Sequence, residues 1–116
     1  MQVQVSTDNH IHGSKELIES ITASVENGLE RFRDQLTRVE VHLADVNGPK
    51  GPEGDKRCII EARLAGRQPT AVTEHASSVL EAVDGALEKL HHLLDSLLDK
   101  LHNPKGRTSF GGDQTI

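Results

Sequence analysis

Ala76 to His102 reads ASSVLEAVDGALEKLHHLLDSLLDKLH, and this stretch decides the fold. Leu80, Val83, Leu87, Leu90, Leu94, Leu97 and Leu101 alternate steps of three and four, which places all seven on one stripe of an α-helix. Such a stripe needs an apolar surface to cover. Upstream lie short alternating patterns and one further helical pattern, so the surface predicted is a small antiparallel sheet with both helices on one face. The expected fold is α+β, a two-layer sandwich in the order β-α-β-β-β-α.

Working outward, Gln2 to Thr7 (QVQVST) alternates polar and apolar residues, with Val3 and Val5 inward. Asp8 to Gly13 (DNHIHG) is turn-rich, and Ser14 is placed to cap a helix by accepting a first-turn N–H. Leu17, Ile21, Val25, Leu29 and Phe32 then recur at helical spacing, widened by Ile18, and predict a helix from Lys15 to Arg33. Arg38 to Val46 alternates again, with Val39, Val41 and Leu43 on one face. Lys56 to Gly66 resumes the alternation with Cys58, Ile60, Ala62 and Leu64 on the core side. Gln68 to His75 makes a weaker fourth strand, because Pro69 suits an edge or a strand start. The polar face of the sheet then collects Gln2, Gln4, Arg38, His42, Arg57 and Arg63.

Asn47 to Asp55 (NGPKGPEGD) holds three Gly and two Pro, too broken for regular structure, and is expected to be a mobile hairpin loop. Asn103 to Ile116 has Pro after the helix, three Gly and no apolar period, and reads as a disordered tail. Residues 1–102 therefore form the one expected domain of this 116-residue chain.

Composition narrows the function. With two Phe and no Trp or Tyr, the core must be aliphatic, and the aromatic platforms that grip single-stranded nucleic acid are nearly missing. A net charge of −5 gives no global attraction to phosphate or to an anionic membrane. The charge is segregated, however. Lys56 to Arg67 carries four basic residues against Glu61, while the last helix sets Lys89 and Lys100 against Glu81, Asp84, Glu88, Asp95 and Asp99. Any nucleic-acid contact must be local, and the basic set that could make it is Arg38, Lys50, Lys56, Arg57, Arg63 and Arg67. The same residues also suit an ordinary solvated sheet face, paired with Glu40 and Glu61. Arg31 and Arg33 are accounted for by the dipole at the end of the first helix.

Other chemistries find little support. Cys58 has no partner for an internal disulfide and reads as a small buried thiol. Of seven His, His10 and His12 could point the same way in an extended segment, but His91 and His92 diverge by about 100° on a helix and no third ligand is near, so no metal or other cofactor is expected. Neither a Gly-rich phosphate loop nor a Ser-His-Asp set is recognisable, so no catalysis is expected. No N-terminal signal pattern and no span of about 20 apolar residues occurs, so a cytoplasmic protein without a membrane partner is the expectation. The 27 residues of the last helix would span about 40 Å, against a sheet about 15–20 Å wide. Leu93, Leu94, Leu97, Leu98 and Leu101 either close on the first helix or seek a partner chain, and a homodimer through them is expected.

The order β-α-β-β-β-α, closing on VLEAVDGALEKL at residues 79–90, resembles the ribosome hibernation-promoting factor family. That family includes the ribosome-associated inhibitor A type proteins and is also called the sigma-54 modulation proteins. The resemblance covers Gln2 to Leu101 and is sharpest in the opening strand with its Asn9 to Gly13 turn and in Val83-Asp84-Gly85 to Lys89-Leu90. It implies a non-catalytic, short-form protein that binds the small ribosomal subunit through 16S ribosomal RNA, in the messenger and transfer RNA channel, and restrains translation under stress. Recognition would rest on phosphate contact and shape. The resemblance adds Lys89, His92 and Lys100 to the RNA-binding set. The chain departs from the family where a basic run is expected on the last helix: His92, Asp95, Ser96, Leu97 and Leu98 stand there, and only Lys89 and Lys100 survive. Each lost phosphate contact weakens binding through lost counterion release. The competing expectation is a protein-interaction or dimerisation module that kept the fold with weakened ribosome binding.

Overall fold

The alternation in the first strand sets the architecture, because it leaves one face of that strand apolar and in need of a cover. The computed structural model describes residues 1–8, 11, 13–46 and 56–102, with side chains through residue 98. The predicted loop at 47–55 and tail at 103–116 lie outside the described residues. The elements are β1 (Gln2–Thr7), α1 (Lys15–Gly28), a 3₁₀ turn (Glu30–Phe32), β2 (Leu36–Asp45), β3 (Lys56–Leu64), β4 (Thr70–Ala76) and α2 (Val79–His102). They form one four-stranded sheet in the order β1-β2-β3-β4, with α1 over β1 and α2 over β3 and β4 on the same face. The two-layer α+β sandwich predicted from the sequence is therefore what forms.

The sheet is mixed, which corrects the expectation of an antiparallel one. β1 runs parallel to β2, pairing Gln2 with Arg38 and Thr7 with Leu43, while β2–β3 and β3–β4 are antiparallel. Parallel neighbours need a crossover, and α1 supplies it by carrying the chain back along the core face before β2 begins. Alternation alone is blind to strand direction, so this pairing was not readable from β1.

α1 starts where Ser14 predicts: its Oγ accepts the Leu17 N–H at 3.1 Å. It ends five residues before the predicted Arg33. Asn27 and Gly28, poor helix formers, fill its last turn, and the chain tightens into the 3₁₀ turn, in which the Phe32 N–H donates to the Leu29 carbonyl at 2.9 Å. Phe32 still reaches the core, and the Gln35 N–H then donates to the Phe32 carbonyl as the backbone turns into β2. Arg31 and Arg33 consequently lie beyond α1 and do not complement its dipole. Arg31 pairs instead with Asp95 of α2, and Arg33 with Glu30.

The core is aliphatic, with Phe32 as its one aromatic member among the described residues. From α2 it takes Ala82, Val83, Ala86, Leu90 and Leu94, all buried. Leu80, placed on the stripe by its spacing, is instead 49% exposed. A straight helix drifts about 20° per heptad against a three-four repeat, so the first residue of the stripe slides to its edge, and Val79 packs in its stead. Leu94 is fully buried and Leu97 and Leu98 pack partly against the core, so the apolar helix end is largely covered by the chain itself.

Candidate nucleic-acid interface

The face of the sheet away from the helices is open, and register lays its side chains out in rows. Gln2, Arg38 and Arg63 form the row at one end; Gln4, Glu40, Glu61 and Ala71 the next; Ser6, His42, Ile59 and Thr73 the third; Ala44, Arg57 and His75 the last. Arg63 and Arg57 lie six residues apart on β3, about 20 Å. The predicted polar face thus exists, with positive charge at both ends and carboxylates between.

Partners decide which of these charges can meet a ligand. Arg38 is engaged: its Nε lies 2.9 Å from Glu40 Oε2 and its Nη2 donates to Gln4 Oε1 at 2.5 Å. His42 Nε2 stands 3.4 Å from the other oxygen of Glu40. Lys56 points to the core side at the sheet's end and holds Asp45 at 3.2 Å, with both side chains largely buried. Lys89 reaches from α2 to Glu74 of β4 at 2.6 Å and donates to the Thr73 carbonyl at 2.8 Å. By contrast, among the described residues Arg57, Arg63 and Arg67 pair with no carboxylate. Arg63 and Arg67 are exposed, and Arg67 is presented by the β3–β4 turn, where Gly66 takes φ 73°, a conformation that glycine adopts without strain.

The nine residues predicted as one RNA-binding set therefore divide. Arg38, Arg57 and Arg63 share the open face, and Arg67 adjoins its end. Lys89 and His92 stand on the helix layer, with His92 exposed on the outer side of α2. The side chain of Lys100 and all of Lys50 lie outside the described residues. No single flat contact can take both layers. The sequence reading also passed over Ser6 and His75, although Ser6 belongs to the alternation of β1 and His75 to that of β4. Register sets Ser6 beside His42 and His75 opposite Arg57.

The surface expected to carry a homodimer is small. Leu94 is inaccessible, and Leu93, Leu97 and Leu98 are half-buried; the side chain of Leu101 lies outside the described residues. No helix among the described residues is long and apolar enough to cross a membrane.

A family model described as sigma 54 modulation protein / S30EA ribosomal protein matches residues 3–102. No curated protein sequence matches the chain. Among solved structures, the chain is similar to the N-terminal domain of Protein Y from Thermus thermophilus, with 18% identity and a TM-score of 0.65, covering 84% of this chain and 99% of that one. It is likewise similar to a ribosomal subunit interface protein from Coxiella burnetii, with 17% identity and a TM-score of 0.66, covering 86% of this chain and 100% of that one. At these identities the two likenesses show a shared fold.

Proposed function

The chain belongs to the sigma 54 modulation protein / S30EA ribosomal protein family, and from that premise we propose that it is a non-catalytic factor that binds the small ribosomal subunit through ribosomal RNA and restrains translation. The observation that carries the reading is the set of guanidinium groups that pair with no carboxylate among the described residues, Arg57, Arg63 and Arg67. A guanidinium already held by a carboxylate must give up that partner before it gains a phosphate. These three need not, and each offers a planar fork that matches phosphate oxygens.

The contact face on this reading is the open sheet, with shape and phosphate neutralisation in place of base reading. The acidic stripe on α2, including Glu81, Asp84 and Glu88, would face away from the RNA and so avoid repelling it. A ribosome-bound protein of this kind acts in the cytoplasm.

Co-sedimentation with purified small subunits over a salt series tests it. Three phosphate contacts predict about a 20- to 40-fold loss of affinity between 50 and 200 mM salt, and the Arg57→Ala, Arg63→Ala double variant, left with one, about a threefold loss. Addition of the wild-type chain to a cell-free translation reaction should lower its output. Failure of the chain to sediment with subunits at low salt would overturn the reading.

A further inference from the structure

Arg57 differs from the other uncommitted arginines in its setting. Its Nε is buried and, among the described residues, has no hydrogen-bond partner. An N–H held out of water in that way carries a desolvation penalty until an acceptor arrives. Beside it lies a recess of about 230 Å³ whose lining includes Ser6, Asp8, His42 and Arg57. Since a water occupies about 30 Å³, a tetrahedral oxyanion fits with room for solvent.

The donors around this recess come from three strands. Arg57 on β3 offers a guanidinium, Ser6 on β1 a hydroxyl and His42 on β2 the Nδ1 of its imidazole, the Nε2 being the nitrogen that stands 3.4 Å from Glu40, with Ser6 and His42 register partners. Asp8 also lines the recess, and its carboxylate oxygens accept the backbone N–H groups of Ile11 at 3.1 Å and Asp45 at 3.3 Å. The remaining charges near His42 are Glu40 on its own strand, Arg38 beyond Glu40, Glu61 on β3 and, across Arg57, His75 on β4. Arg57 and Arg38 stand against Asp8, Glu40 and Glu61, so a proton on His42 takes this group of charges from a net negative balance to neutral and removes the repulsion an anion would meet.

We propose that Ser6, His42 and Arg57 form a seat for one phosphate group, filled more readily when His42 carries a proton. Histidine is the side chain whose charge changes between about pH 5 and 8, so mild acidification tightens the seat. As a contact for an RNA backbone phosphate the seat rests on the reading above; as a seat for free phosphate it does not.

The test is an NMR titration of the full chain, following the His42 ring and the Arg57 Nε–H. The probes are dimethyl phosphate, a diester with one charge at every pH used, and inorganic phosphate, each at constant ionic strength against chloride. Saturable shifts at both side chains are expected, with dimethyl phosphate bound about five- to tenfold more tightly at pH 6.0 than at 7.5, the interval over which a histidine gains its proton. Saturation by the diester identifies the backbone phosphate as the occupant, and saturation by inorganic phosphate alone identifies free phosphate. His42→Gln should remove the pH dependence and Arg57→Gln the binding, with backbone amide spectra reporting that both fold; Arg33→Gln, on the helix side and paired with Glu30, should change neither. No saturable shift with either probe at pH 6.0, equal affinity at both pH values, or equal loss in Arg33→Gln would overturn the proposal. If subunits bind the chain while the seat stays empty, the seat falls and the ribosome reading stands. If the diester is seated while subunits ignore the chain, the reverse holds.

Discussion

Lys89 on α2 holds Glu74 on β4, Nζ to Oε1 at 2.6 Å, and the same ammonium donates to the Thr73 carbonyl on that edge strand. Of the basic residues expected on the last helix, this is one of the two that survive, and it is turned inward to the protein's own sheet. The fit is close: a Cβ on Gly85 would stand 2.7 Å from Glu74 Cγ, so the helix needs a glycine where that side chain passes. An ammonium in such a clasp is poorly placed for phosphate. Lys89→Met should leave the salt dependence of subunit binding unchanged. The pair is half exposed, so the loss in stability should stay within about 1 kcal/mol, read from urea denaturation.

Leu94 tests whether the leucine-rich helix end belongs to the core or to a partner. Its side chain is fully buried among core residues within one chain. Leu94→Ala should cost about 2–5 kcal/mol, seen as a lowered urea midpoint that does not vary with protein concentration. A midpoint rising with concentration would instead place this leucine in an interface between copies.

How far the sequence carried this structure depends on the kind of signal. Alternation found all four strands and their inward residues, because one buried face enforces a period of two. It could not show that β1 runs parallel to β2, since direction is set by the crossover and leaves no mark on β1. The start of α2 was readable but missed: Ser78 and Glu81 stand in the S-x-x-E spacing of a capping box, and Ser78 Oγ accepts the Glu81 N–H at 3.2 Å. Counting basic residues could not foresee that Lys56 and Lys89 are tied to Asp45 and Glu74 while Arg57, Arg63 and Arg67 are not. Those pairings join residues brought together only by the folded chain.

The capping box itself gives a measurable titration. Hydroxyls of Ser77 and Ser78 donate to Glu81 Oε1 at 2.5 and 3.2 Å, and they hold its carboxyl below the usual carboxylate range. A depressed acid contributes stability above its unfolded pKa and loses it as pH falls through the folded value. Ser78→Ala should move the Glu81 titration, followed by carboxyl NMR, back up. The lost N-cap should cost about 1 kcal/mol.

Cys58 lies under the helices in β3, and burial pushes its thiol from an ordinary 9.0 up to about 12. The native chain should resist thiolate-specific labelling at pH 8, and denaturant should release one reactive thiol. The folded state favours the protonated form, so this contribution is complete below pH 9 and declines as pH rises towards 12. The slope is at most about 1.4 kcal/mol per pH unit, and Cys58→Ala should abolish it.

Charge reversal on the two layers separates the open sheet from the helices as the ribosome-facing side. Arg63 is exposed on the open face and Glu88 on α2, and neither makes an ion pair among the described residues. Arg63→Glu replaces an attraction to phosphate with a repulsion. It should weaken small-subunit binding at least about tenfold at 50 mM salt and reduce the salt slope by about one contact. Glu88→Lys adds a positive charge to the layer that the proposed contact turns away from RNA, so binding should stay within about twofold of wild type. Both positions are solvated, and unchanged urea midpoints should confirm that the fold is untouched. If Glu88→Lys tightens binding while Arg63→Glu leaves it alone, the contact lies on the helices.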